Sequence, residues 1–172
     1  PKVYGYYHNY LGKLYAHSPH LRKNFSKSIF PCCAINCSPK AWTHCHCDSM
    51  NCPFGMCAIT ALGQFDPSKG GHLVLPDLKL IVEFPVSSII LIPSATLIHA
   101  NIPIQSHEAQ ASFMQYAASS LFHYVDDGFM MEKALKEKNH EEYLRVCSLK
   151  KTRWERGLNL LSKISELVDL KT

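Results

Sequence analysis

His46-Cys47-Asp48, and far downstream Ser94-Ala95-Thr96-Leu97-Ile98-His99-Ala100-Asn101, are the two stretches whose reading decides the fold. His46 and Asp48 stand at i and i+2, so on an extended backbone their side chains leave the same face. His99 can join them only from a distant strand folded alongside. Two imidazoles and one carboxylate cover one face of an octahedral metal ion and leave positions open for substrate and O₂, the ligand set of non-haem Fe(II) oxygenases. A His-x-Asp triplet is common by chance. It gains weight here because the sequence between the two halves reads as consecutive strands. His44 lies on the same face as His46 and can compete as a ligand, whereas Cys45 and Cys47 point the other way and are expected to be small buried hydrophobes.

Working outward, short apolar runs alternate with Gly and Pro punctuation. Strands are predicted over Ile29–Cys37, Trp42–Cys47, Gly55–Phe65, His72–Leu75, Lys79–Phe84, Ile89–Ile92, Leu97–Ile104 and Ala111–Ala118. Gly55–Phe65 is apolar on both faces and belongs in the centre of a sheet. Leu80, Val82 and Phe84 alternate with Lys79, Ile81 and Glu83, as on a half-buried strand. Asp66-Pro67-Ser68-Lys69-Gly70-Gly71 is a turn, and Pro76 should interrupt any ladder it enters. Many short strands separated by turn signals predict a sandwich or barrel. On the N-terminal side, Tyr4, Tyr7, Leu11 and Leu14 predict an amphipathic helix over 3–17, weakened by Gly5 and Gly12. On the C-terminal side, Phe129–Cys147 and Thr152–Leu170 are helix-patterned, with Trp154, Leu158, Leu161 and Val168 as one apolar stripe. The fold class expected is mainly β with flanking helices: a β core over 29–118, an N-terminal helix and a helical extension over 129–170, all in one domain of 1–172.

Composition narrows the function classes. The 172 residues are long enough to bury a core, and the 47% apolar content is ordinary. A formal charge of +4 permits nucleic-acid binding without arguing for it, because no Lys/Arg block forms a phosphate-tracking arm. The patch Lys150, Lys151, Arg153 and Arg156 reads as a solvated face. No apolar run is long enough to span a membrane. No charged segment followed by an apolar one opens the chain, so an intracellular protein, cytoplasmic or nuclear, is expected. The start at Pro1 suits a fragment of a longer protein. Of the eight cysteines, Cys32, Cys33, Cys37, Cys45, Cys47, Cys52 and Cys57 crowd one segment. Reduced thiols are the expectation. A structural zinc site built from His44, Cys45, His46, Cys47, Cys52 and Cys57 is an alternative, at the loose end of zinc-ligand spacing.

A longer series of blocks carries a resemblance. Asp48-Ser49-Met50-Asn51, Phe54-Gly55, Cys57-Ala58-Ile59-Thr60-Ala61-Leu62-Gly63, Phe65-Asp66-Pro67, Lys69-Gly70-Gly71-His72-Leu73-Val74-Leu75, Ile92-Pro93-Ser94-Ala95, His99-Ala100-Asn101-Ile102-Pro103 and the segment Phe122 to Phe129 together resemble a family of basidiomycete fungal proteins. That family is similar to Fe(II)/2-oxoglutarate-dependent dioxygenases with a double-stranded β-helix (jelly-roll) core, among whose relatives are nucleobase oxygenases of the TET/JBP type and prolyl-hydroxylase-like enzymes. The likeness covers roughly residues 1–130.

The resemblance implies that His46, Asp48 and His99 ligate Fe(II), and that the protein oxidises a C–H bond with O₂ while 2-oxoglutarate is decarboxylated to succinate. It also implies a basic residue some ten positions after the distal His to hold the 2-oxoglutarate carboxylate. Gln110 stands there instead, able to hydrogen-bond but lacking the charge and fork of Arg. Ser112 can hydrogen-bond the same carboxylate, and Asn101, on the face of His99, can support a ligand. The family pattern also has Trp where this chain has Met56 and Pro76, and Arg where it has His123. A conserved triad with altered surroundings suits a redirected or degenerate enzyme. A non-catalytic jelly-roll binding module is the remaining alternative.

Overall fold

The computed structural model describes residues 1–168, in which six α-helices accompany two antiparallel sheets. The chain divides into two compact units: residues 30–117, and residues 1–29 together with the segment from Ala118 onward.

The unit of residues 30–117 is the β unit. One sheet has four strands in the order β1 (Cys32–Asn36), β7 (Ala109–Tyr116), β2 (Cys57–Gln64), β5 (Ile89–Ile92). The other has three, in the order β4 (Leu80–Val82), β3 (Leu73–Leu75), β6 (Ala100–Asn101). All pairings are antiparallel. β2 is flanked on both sides, as its two apolar faces require, and Cys57, Ala58 and Ile59 are all buried. Side chains from both sheets meet in one cluster of Cys57, Ile59, Ala61, Phe65, Leu73, Leu75, Phe84 and Ile92. Val82 packs against that cluster, whereas Leu80 and Ile81 are exposed. Pro76 opens a 3₁₀ turn, Pro76–Leu78, so its missing N–H costs the ladder nothing.

Two predicted strands are mostly irregular. Trp42–Cys47 forms only an isolated bridge, His46 to His99. Thr43 bonds to Asn101 instead: Thr43 N–H donates to Asn101 Oδ1, and Asn101 N–H donates to the Thr43 carbonyl. Of Leu97–Ile104 only Ala100–Asn101 is strand, because Ile98 N–H is captured by the Asp77 carboxylate at 3.0 Å. Cys45 is exposed and Cys47 half-buried, so the expectation of two buried cysteines fails: an isolated bridge has no second sheet face to cover them. All eight cysteines are free.

The helical unit contains α1 (Lys2–His17), which buries Tyr7, Leu11 and Leu14 while Tyr4 stays 59% exposed. The rings of Tyr6, Tyr7 and Tyr10 surround Phe122 of α2 (Ser119–Asp126), a helix not predicted from the sequence. The two predicted C-terminal helices are four shorter ones: α3 (Glu132–Lys138), α4 (His140–Lys150), α5 (Arg153–Leu158) and α6 (Ile164–Val168). Asn139 divides the first pair, its side chain accepting a hydrogen bond from Glu142 N–H as an N-cap. The predicted end at Leu170 lies outside the described residues. The stripe Trp154, Leu158, Leu161 and Val168 is exposed rather than buried. Two members of the basic patch are paired, Lys150 with Glu132 and Arg153 with Asp126. No helix of the described residues is long and apolar enough to cross a membrane.

Candidate metal centre

His46 and His99 sit directly opposite one another and exchange both backbone hydrogen bonds, each 3.0 Å. Residues of such a pair project to the same side, and the ring centroids are 4.3 Å apart. Asp48 N–H donates to the Ser94 carbonyl at 2.8 Å, which turns the chain so that the carboxylate faces the imidazoles. One ligand atom from each of His46, Asp48 and His99 lies within 4.8 Å of the others. Among the described residues this is the one group of three or more His, Cys, Asp or Glu side chains close enough to hold an ion. It contains no thiol and does not include His44, whose exposed ring packs edge-on against Trp42. The zinc cluster of cysteines and histidines is therefore not assembled among the described residues.

The protonation of the two rings follows from their hydrogen bonds. His46 Nδ1 lies 2.8 Å from the His44 carbonyl, and His99 Nδ1 lies 3.0 Å from the Leu97 carbonyl. A carbonyl oxygen only accepts, so each Nδ1 carries a proton, and in the neutral ring Nε2 is then the lone-pair atom. His46 Nε2 stands 3.6 Å from Asp48 Oδ1. Both imidazoles are thus in the tautomer a metal ligand needs, oriented by a backbone group. These donors fit a divalent transition ion with an open face. Burial runs from the exposed His46 through Asp48 to His99, which is 5% exposed.

The carboxylate has its own support. Asn51 Nδ2 donates to Asp48 Oδ2 at 3.2 Å and to Ser94 Oγ at 3.1 Å. Asn51 and Ser94 are both buried. The sequence reading assigned neither a role. Asn51 lies three residues after Asp48 and its N–H closes the turn on the Asp48 carbonyl, but its link to Ser94 is visible only once the chain has folded. Nearby, burial and the Asp48 charge push the Cys57 thiol up to about 11, with a hydrogen bond from Ser94 acting in the opposite sense.

The three side chains open onto a cleft of about 90 Å³ that also reaches Gln110, Ser112 and Met114 on β7. Asn101 and Thr43 line it as well. Asn101 acts on backbone rather than on a metal ligand: Oδ1 accepts from Thr43 N–H at 2.6 Å and Nδ2 donates to the Ala41 carbonyl at 3.1 Å. Gln110 is buried, its main chain bonded to Pro39 and Ala41. Ser112 is half-buried, paired across β2 with Ala61. No Lys or Arg lines the cleft. The donor set therefore fits a metal ion, and the cleft offers no cation to pair with a ligand carboxylate.

No family model and no curated protein matches the sequence. Solved structures similar in part include NgTET1 in complex with 5mC DNA, at 16% identity and a TM-score of 0.48, over 64% of this chain and 47% of that one. A truncated form of the viral collagen prolyl hydroxylase vCPH from Paramecium bursaria Chlorella virus-1 matches at 18% identity and a TM-score of 0.35, over 48% of this chain and 52% of that one. The 2OG complex of the same hydroxylase matches at 16% identity and a TM-score of 0.37, over 63% of this chain and 69% of that one. The chain spans about half the length of the first two. These are partial likenesses of shape to a TET protein and a prolyl hydroxylase, and the function is read from the side chains of the site.

Proposed function

We propose that this chain is a non-haem Fe(II) oxygenase-type protein on a jelly-roll-like core, with His46, Asp48 and His99 as the iron ligands and a 2-oxo acid as cosubstrate. One observation carries the reading: two imidazoles, each with Nδ1 held by a main-chain carbonyl, and the Asp48 carboxylate bring one ligand atom apiece to within 4.8 Å of one another. When bound, Fe(II) with O₂ and a 2-oxo acid supplies the oxidising power for C–H oxidation, the acid losing CO₂. The chain's own residues hold and orient. The His44 and Leu97 carbonyls fix the rings, Asn51 fixes the carboxylate, and Ile59, Leu73 and Phe84 line the cleft with apolar surface.

The test is CO₂ release from a set of 2-oxo acids by protein loaded with Fe(II) under anaerobic conditions and then exposed to O₂. Release that disappears in His46→Ala and Asp48→Ala supports the reading. Stoichiometric iron with no CO₂ from any 2-oxo acid contradicts it and leaves a non-catalytic binding module. The specific observation favouring that second reading is that no Lys or Arg lines the cleft.

A further inference from the structure

Around Asn101 and Gln110 the cleft has a fixed hydrogen-bonding polarity, set by a chain of constraints that starts in the backbone. Thr43 N–H can only donate, so the atom of Asn101 that meets it at 2.6 Å is the oxygen. The Ala41 carbonyl can only accept, so the atom that meets it at 3.1 Å is Asn101 Nδ2. That NH₂ also faces Gln110 at 3.4 Å, which makes the facing atom of Gln110 its oxygen, Oε1. Gln110 Nε2 is left as a donor. It lies beside Gly71, where a Cβ would sit only 3.1 Å from it, and both residues line the cleft. Gln110 and Ser112, both lining the cleft, are thus the polar side chains that β7 offers to a ligand's far end.

Charge decides which far end fits. The two charges of a divalent ion are matched by Asp48 and by the one carboxylate of a chelating 2-oxo acid. An imidazole that ligates an ion through Nε2 does so as a neutral ring and adds no charge, with its Nδ1–H held by the carbonyl. Nothing remains to neutralise a second carboxylate, and a buried unpaired carboxylate is strongly disfavoured. Lys40 is near in the chain pairing, its backbone bridging Gln110, but its side chain is exposed and does not line the cleft. A carboxamide or similar uncharged group offers the same carbonyl oxygen to Gln110 Nε2 without the desolvated charge.

We infer that this cleft selects a metal-chelating 2-oxo acid whose far end is uncharged and hydrogen-bonding, and that Gln110 is the residue that excludes 2-oxoglutarate. The inference rests on the proposed metal centre. It is tested with a matched pair of chelators, N-oxalylglycine and N-oxalylglycinamide, which share a head and differ at the tail by one charge. Binding of each to protein loaded with Mn(II) is measured by titration calorimetry. The amide is expected to bind at least ~10-fold more tightly than the acid. Gln110→Arg is expected to reverse the order, and Lys40→Ala to leave it unchanged. Should the arginine variant not fold, the wild-type pair decides alone. Tighter binding of the acid by wild type overturns the inference, as does a preference that Lys40→Ala abolishes. Stoichiometric Mn(II) with neither chelator bound overturns it while sparing the metal centre, whereas failure to bind Mn(II) removes both.

Discussion

His46 and His99, 53 residues apart, form a single reciprocal backbone pair, an isolated bridge just before β6. That one bridge sets the separation of the two imidazoles in the candidate metal centre. Its rigidity must come from its flanks. Thr43 is held by Asn101, and Asp48 is held by Ser94 and Asn51.

Asn51 is therefore expected to matter for metal affinity more than for folding. Asn51→Ala removes the donor to Asp48 Oδ2 and to Ser94 Oγ but no metal ligand. Mn(II) affinity should fall by about 10- to 100-fold, the usual cost of losing a group that orients a ligand. The unfolding midpoint of the metal-free protein should move far less. Unchanged affinity would show that Asp48 is oriented without it.

Gly63 lies opposite Gln110 in the β2–β7 ladder with φ at +121°, and a Cβ there would run into the Ala109 carbonyl. Gly63→Ala should destabilise the fold by on the order of 2 kcal/mol or more, read by urea denaturation, because both the backbone conformation and the close approach exclude a side chain. Gly5→Ala in α1 has open space around it and should be neutral or stabilising by up to about 1 kcal/mol.

The raised thiol of Cys57 gives a pH signature with a definite sign. An unfolded cysteine titrates near its ordinary value of 9.0, while the buried thiol holds its proton to about 11. Between those values the native state binds more protons than the unfolded state, so stability falls as pH rises. Below pH 9 the group contributes no slope. Urea titrations from pH 8 to 11 should show this alkaline loss, and Cys57→Ala should flatten it. The same burial should leave Cys57 unmodified by iodoacetamide at pH 8 while the exposed Cys37 and Cys45 react.

Much of the fold was legible where one residue set obeyed one period. Tyr7, Leu11 and Leu14 repeat at helical spacing and are buried, and the two-faced apolar run of β2 lies inside its sheet. The grouping of His46, Asp48 and His99 was pointed to by the family resemblance more than by the two-residue spacing of His46 and Asp48, and the three side chains do come together. The irregular segments were not legible, because side chains took over backbone hydrogen bonds: Asn101 captured Thr43 N–H and Asp77 captured Ile98 N–H. Such competition depends on partners tens of residues away. The roles of Asn51 and Ser94 were hidden for the same reason. The altered position at Gln110 was visible in the sequence, but the direction of its amide required Asn101 in place.

The most direct measurement is the metal content of the purified chain after loading with Fe(II) or Mn(II) and removal of excess ion, for wild type and for His99→Ala. The chain is expected to hold one equivalent and the variant to lose it while its circular dichroism spectrum is unchanged. One equivalent retained by a folded His99→Ala protein, or binding abolished by thiol alkylation instead, would contradict a centre built from His46, Asp48 and His99.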